Sequence, residues 1–245
     1  ADRTGMTTGS PVRPRVLQPR SRPAIDLRAM LHPVSPYQGF DAARYPFDPQ
    51  GWNGDSPLFD RLVEELNPGL AIEVGSWKGQ SAIHMGSAMA ERRGDAQLLC
   101  VDTWLGSFDW WLDPSRSPRA DMGLVHGYPT LYYQFLANVV HAGLEDVIVP
   151  FPATSTIAAR LLIVRGVKAD LIYIDGSHEE NDVYSDVTYY WHCLRPGGVM
   201  FGDDYRPESY PGGVRAVEAF GEAVGVEHEV IDGQFWRMQK PVDAR

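Results

Sequence analysis

Three aspartates have the types and spacing to do chemistry: Asp175 and the adjacent pair Asp203-Asp204. Each ends a short apolar run, Leu171-Ile172-Tyr173-Ile174 before Asp175 and Val199-Met200-Phe201-Gly202 before Asp203. Such runs read as buried parallel strands, and open α/β sheets bind ligands beyond the carboxyl ends of their strands. If the two strands are neighbours, three carboxylates meet at one point and repel one another. A hard divalent cation taking oxygen ligands (Mg²⁺, or Ca²⁺ or Mn²⁺) would remove that repulsion and leave positions for water and substrate. The competing reading makes Asp175-Gly176 a turn and Asp203-Asp204 a solvated loop end. His178 follows Asp175 by three residues on the same rim. An imidazole titrates at about 6.5 when unperturbed, which suits proton removal near neutrality. His178 also reads as a helix-cap residue supporting the site.

A second set of residues could hold a polar ligand. Glu73-Val74-Gly75-Ser76-Trp77-Lys78-Gly79-Gln80-Ser81 follows a strand-like run. Gly75 allows a sharp turn, Gly79 a close approach at a helix start, and the free amides there can face a ligand. The spacing is acidic-x-Gly-x-x-x-Gly. It lacks the third glycine of the dinucleotide fingerprint, and no Gly-Lys-Ser/Thr marks a phosphate loop. The next strand-like run, Leu98-Leu99-Cys100-Val101, ends in Asp102-Thr103-Trp104. An acid in that position can accept both ribose hydroxyls, or it can cap a loop. Ala153-Thr154-Ser155 opens a helix after the third strand, where Ser155 either caps the helix or lines an adenine ring.

These residues need elements to position them. Strands are expected at 70–74, 97–102, 146–150, 170–174 and 198–202, and helices at 80–92, 129–142, 155–165, 179–193 and 213–224. That alternation predicts a mostly parallel sheet covered on both faces. Ser56-Pro57 marks the start of a further helix that Asn67-Pro68-Gly69 stops near Leu66. Runs at 226–231 and 234–239 around Asp232-Gly233 predict a terminal antiparallel hairpin. Residues 1–48 form a proline- and arginine-rich arm, free, wrapped on a neighbouring subunit or laid over the active site; residues 49–245 form one domain. A long insertion, Trp104 to Tyr128, carries Trp104, Phe108, Trp110, Trp111 and Tyr128. Its aromatic side chains either stack on an acceptor or pack the loop onto the protein or a neighbour. Gln50-Gly51-Trp52-Asn53, just before the first helix, is placed to cover a cofactor.

The chain has 245 residues, 44% of them hydrophobic, enough for one substantial core. A net charge of -10 argues against a nucleic-acid surface. No apolar run approaches the roughly 20 residues that span a bilayer, and no apolar leader is visible, so a soluble cytoplasmic protein is expected. Cys100 and Cys193 read as reduced core residues. The long arm and aromatic loops suggest a homo-oligomer.

From about residue 55 to 240 the chain resembles the class I S-adenosylmethionine-dependent methyltransferases. The matching pieces are Glu73 to Gly79, Val101-Asp102-Thr103-Trp104, Ile174-Asp175-Gly176-Ser177-His178, Leu194-Arg195-Pro196-Gly197-Gly198 and the terminal hairpin. Within that class, Ile174 to Asp204 is similar to the metal-dependent O-methyltransferases, including antibiotic-sugar and cephalosporin-biosynthesis enzymes. The resemblance implies a Rossmann-like α/β fold with strand order 3-2-1-4-5-7-6. It implies that Gly75 and Gly79 line the methionine end of the cofactor and Asp102 the ribose, with Glu73, Ser76, Ser81, Thr103 and Asp175 also among the cofactor-binding residues. Ser155 would lie toward the adenine, and Asp175, Asp203 and Asp204 on a metal. His178 would be the base with Asp175 beside it, since the lysine of catechol methyltransferases has no counterpart between Asp170 and Asp204. The acceptor would be a small-molecule hydroxyl, on a sugar or natural-product intermediate before a phenol. Transfer to nitrogen and a non-catalytic assembly module are the competing readings. An iron hydroxylase lacks a second histidine at suitable spacing, and a nicotinamide dehydrogenase lacks the third glycine.

Overall fold

A computed structural model of the chain describes residues 25–113, 115 and 117–243. The first half of the arm therefore lies outside the described residues. Seven strands form one sheet in the order β3-β2-β1-β4-β5-β7-β6, as the resemblance implies. They are β1 (Leu70–Val74), β2 (Gln97–Asp102), β3 (Ile148–Pro152), β4 (Ala169–Ile174), β5 (Leu194–Gly202), β6 (Glu229–Ile231) and β7 (Phe235–Gln239). The first five run parallel, and β7 is antiparallel to both β5 and β6.

Nine α-helices accompany the sheet among the described residues: α1 (Leu27–Leu31), α2 (Pro57–Leu66), α3 (Gln80–Arg92), α4 (Phe108–Leu112), α5 (Ser117–Asp121), α6 (Leu131–Ala142), α7 (Ser155–Val164), α8 (Glu180–Cys193) and α9 (Pro211–Val224). Two buried apolar layers lie on opposite faces of the sheet, because alternate strand residues point to opposite sides. Ile72, Val74, Leu99 and Ile172 pack on one side with helices α7 to α9. Ala71, Leu98, Cys100, Leu171 and Tyr173 pack on the other with α2, α3 and α6. On that second face Phe59 of α2 meets Tyr173 and Phe201 edge-on at 5.0 and 5.5 Å, joining α2 to β4 and β5.

Local signals place the helix starts. Ser56 accepts from the amide of Leu58, Pro57 takes the first helical position, and Asn67 closes α2 in the left-handed region. The hairpin turn has positive φ at both Asp232 and Gly233, and Gln234 N–H donates to Ile231 O at 3.1 Å.

Several boundaries differ from expectation. β3 begins at Ile148, because Val147 and Ile148 N–H still donate to Leu144 O in a turn. β5 begins four residues early, at Leu194. Gly197 N–H donates to Lys240 O and Lys240 N–H to Gly198 O, so the apparent turn stays paired to the hairpin strand. β6 is only three residues long, and α9 starts at Pro211, which supplies the fixed φ of a first helical residue. The insertion after β2 carries α4 and α5, each too short for periodicity to reveal.

The described part of the arm packs on the domain. Asp26 caps α1, Leu27 is buried, and Leu27 N–H donates to Gln97 Oε1 at 2.9 Å. His32 Nε2 lies 2.7 Å from Pro150 O, and Tyr37 O–H donates to Ile148 O at 3.0 Å. The segment thus lies along the outer strand β3, whose edge would otherwise be open.

One glycine is required by close packing in the sheet itself. Gly75 has φ +87°, and a Cβ there would lie 2.1 Å from Asp175 O. A left-handed alanine costs about 1–2 kcal/mol before any clash, and here the clash is with backbone. Gly75→Ala is therefore expected to lose at least about 2 kcal/mol in a urea unfolding curve; an unshifted midpoint would contradict this packing.

Candidate active site

The sheet brings the three acids to one end. β4 and β5 are neighbours, with Ile174 paired to Gly202, so Asp175 and Asp203 leave adjacent strand ends side by side. Asp175 N–H donates to Val74 O at 2.8 Å, which extends the β1–β4 pairing into the loop. Tyr173 O–H donates to Asp175 Oδ2 at 3.0 Å. Asp203 is buried and accepts from Asp204 N–H at 2.7 Å and from the Asn53 side-chain amide at 2.9 Å. Asp204 has φ +60°, which turns its Oδ2 to within 2.7 Å of His178 Nε2. The His178 ring stacks on Tyr210, centroids 4.3 Å apart. Asp175, Asp203, Asp204, His178, Ser177, Tyr205, Tyr210 and Trp236 line one narrow pocket.

The electrostatics follow from this crowding. Burial pushes the Asp175 carboxyl well above the usual range, and the neighbouring Asp203 and Asp204 push it further. Asp203 is also raised, chiefly by burial, against the lowering effect of the Asp204 amide. His178 is raised because its hydrogen bond to Asp204 outweighs its own desolvation.

Carboxylates held together against their own repulsion are the donor chemistry that a hard divalent cation takes. The three acids fit such an ion in type and in sharing one pocket. They are not drawn into a ligand set: Asp204 faces His178 and Asp203 faces Asn53. Among the described residues no group of three or more acids, histidines or cysteines is arranged to hold a metal.

The loop between β1 and α3 lies beside this pocket. Ser76 and Trp77 N–H each donate to Asp102 Oδ2 at 2.9 Å, and Trp104 N–H donates to Oδ1 at 2.7 Å. The sequence reading gives Asp102 to a ribose. In the structure its partners are backbone amides, and it braces the loop in which Trp77 has φ +48°. Thr103 Oγ1 accepts from Leu105 N–H, also a local contact. Gly79 has φ +92°, with a would-be Cβ 3.0 Å from the Phe135 ring.

Glu73 is fully buried and accepts from Ser81 O–H at 3.3 Å through Oε1. Its Oε2 has no partner, nor do the buried Ser76 Oγ, Trp77 Nε1 and Gln80 Oε1. Buried polar atoms are normally paired. Four orphans within eight residues of a glycine turn fit a polar ligand such as the amino-acid end of S-adenosylmethionine. Ser155 is not the cap of α7; Thr154 is, accepting from Ile157 N–H at 3.3 Å. Ser155 O instead accepts from Tyr190 O–H at 3.1 Å, and Ser155 lies by the buried Asp186, whose carboxyl burial pushes up to about 6.

Sequence reasoning assigned no role to Tyr210, and nothing in its neighbourhood signals one. It also left Lys78 aside. The buried Lys78 ammonium lies 2.7 Å from Asp48 and 3.5 Å from Asp121, tying the glycine loop to the arm and the insertion. Within the insertion Trp104 is buried, while Phe108, Trp111 and Tyr128 are exposed.

Burial pushes the Glu73 carboxyl up to about 8. Folded Glu73 thus keeps its proton to higher pH than the unfolded chain, for which the ordinary value is 4.5. Its contribution to stability is full below 4.5 and is lost as pH rises through about 8. The melting temperature of Glu73→Gln is expected to fall by roughly 5–10 °C less than that of the parent between pH 5 and 8. Parallel pH profiles would contradict a buried, protonated Glu73.

Residues 72–205, more than half of the chain, match the methyltransferase-domain family. Several solved structures share the fold at low identity. The O-methyltransferase NovP aligns with a TM-score of 0.58 at 19% identity, over 75% of this chain and 78% of its own. An O-methyltransferase from Bacillus cereus in complex with SAH aligns at 0.53 and 16% identity, over 87% and 95%. TomG from Streptomyces achromogenes, an O-methyltransferase of tomaymycin synthesis in complex with SAM, aligns at 0.52 and 16%, over 88% and 94%. With the glycine turn at β1 and the acids at β4 and β5 in place, the chain belongs to the methyltransferase-domain family.

Proposed function

We propose that this protein is a divalent-metal-dependent O-methyltransferase that moves a methyl group from S-adenosylmethionine to a hydroxyl of a small molecule, a sugar or natural-product intermediate. The observation that carries the reading is the pocket itself: a candidate base, His178, and three carboxylates stand beside the braced glycine turn. Family membership supports methyl transfer. Transfer to oxygen is supported by the O-methyltransferases that share the fold, two of them with SAM or SAH bound and one in natural-product synthesis.

When bound, the cofactor supplies an electrophilic methyl on a sulfonium, and a divalent ion supplies positive charge against the developing alkoxide. The chain does the rest. Asp102 holds the loop backbone through the Ser76 and Trp77 amides, so the turn itself needs no reorganisation around the amino-acid end of the cofactor. Glu73 Oε2 and Ser76 Oγ are the orphaned atoms available to it. Asp175, Asp203 and Asp204 would hold the metal.

His178 takes the proton of the acceptor hydroxyl as the oxygen attacks the methyl carbon and the sulfur–carbon bond breaks. Asp204 and Tyr210 fix the ring for that role from two directions. Asp204 therefore sits between two duties, and its present partner is His178.

Incubation with methyl-labelled S-adenosylmethionine and a panel of sugars and phenols tests the reading. Labelled methyl ethers are expected, with turnover abolished by EDTA and restored by Mg²⁺. His178→Gln is expected to lower kcat about 10²–10⁴-fold with cofactor affinity retained. Turnover that survives chelation would remove the metal from the reading, and a fully active His178→Gln would remove the base.

A further inference from the structure

The turn Gly51-Trp52-Asn53-Gly54 lies outside the family match at 72–205, yet it reaches Asp203, one of the residues that line the pocket. Its glycines let it lie flush on the first turn of α3. A Cβ at Gly51 would sit 2.8 Å from Gln80 Cβ, and one at Gly54 would sit 2.7 Å from Ser81 N. Between them Asn53 has φ +55°, a left-handed conformation that non-glycine residues adopt rarely, asparagine more readily than most. Further contacts pin the turn from several sides. Asn53 O accepts from Ser56 N–H at 3.1 Å, and Gly54 O lies 3.0 Å from His84 Nδ1. The Trp52 ring packs on Trp77 of the glycine loop and Trp110 of the insertion, at 5.9 and 6.2 Å. Just upstream, Asp48 pairs with Lys78. The result is a fixed backbone that carries the Asn53 amide to 2.9 Å from Asp203 Oδ2, across 150 residues of sequence.

We propose that Asn53 is a positioning residue for Asp203, orienting that carboxylate for the divalent ion; this rests on the metal-dependent reading above. The amide nitrogen donates to one carboxylate oxygen while the Asp204 backbone amide donates to the other. Together they fix the plane of the carboxylate. Partners of this kind set both the orientation and the affinity of a metal ligand. A residue that only formed the turn would need the left-handed backbone but not the side-chain amide.

Asn53→Gly separates these roles, because glycine keeps the left-handed backbone and deletes the amide. Calorimetric titration of Mg²⁺ into the full chain is expected to show about tenfold weaker binding in Asn53→Gly. S-adenosylmethionine affinity should stay within about twofold, with the melting temperature within a few degrees, while Asp203→Asn serves as the reference for loss of the ion. Unchanged Mg²⁺ affinity in Asn53→Gly, with clear binding by the parent, would overturn the proposal and leave the metal reading standing. Equal weakening of Mg²⁺ and cofactor would also overturn it, since the turn would then be a general support. A parent that binds S-adenosylmethionine but no Mg²⁺ would remove the metal reading and this proposal together, leaving methyl transfer intact.

Discussion

The backbone of Asp175 passes so close to Gly75 that no side chain fits between them. That contact joins the two halves of the site. β1 and β4 are neighbours, the pairing continues past their ends through Asp175 N–H to Val74 O, and the loops that follow leave from one place. One loop carries the glycine turn, braced by Asp102; the other carries Asp175 and His178. β5 then adds Asp203 and Asp204 from the next strand over. The switch in strand direction of connection, with β2 and β3 on one side of β1 and β4 and β5 on the other, opens the crevice in which such folds bind ligands.

Charge is the second constraint. Glu73 and Asp203 are buried and Asp175 is half-buried, and each holds its proton more tightly than an exposed acid does. Burying carboxylates without cations works against folding, and proteins tolerate such arrangements chiefly at functional sites. The nearest basic partner in the pocket is His178, engaged with Asp204. A cationic ligand on the glycine turn and a divalent ion on the acids are both chemically matched to this surplus.

The fold was legible where residue pattern alone decides structure. The apolar runs that end in Asp102, Asp175 and Asp203 became central strands, because fully buried parallel strands need unbroken apolar sequence. Ser56-Pro57 and Asp232-Gly233 set a helix start and a turn through their own backbone preferences. Leu194 to Gly198 misleads because Pro196 and two glycines look like a turn until the hairpin partner Lys240 is present to pair with the glycines. The arm segment from Ile25 and the two insertion helices were hidden for the opposite reason. They are held by tertiary contacts such as Tyr37 to Ile148 O, which leave no periodic trace in sequence.

Of the site, the residue types were legible and their partners were not. Asp102 braces the loop through two amides, a contact that depends on the curl of Ser76 and Trp77, and accepts a third from Trp104 beside it. Ser155 yields the cap to Thr154, and its carbonyl accepts from Tyr190 O–H. Tyr210 reaches the pocket, and Asn53 reaches Asp203, only because α9 and the turn before α2 fold back over the strand ends.

The most direct test of the whole arrangement is calorimetric titration of S-adenosylmethionine into the protein and into Asp102→Ala. The parent should show saturable one-to-one binding with a dissociation constant on the order of micromolar, and loss of the brace should abolish it. No saturable heat from the parent, with or without Mg²⁺, would contradict the account.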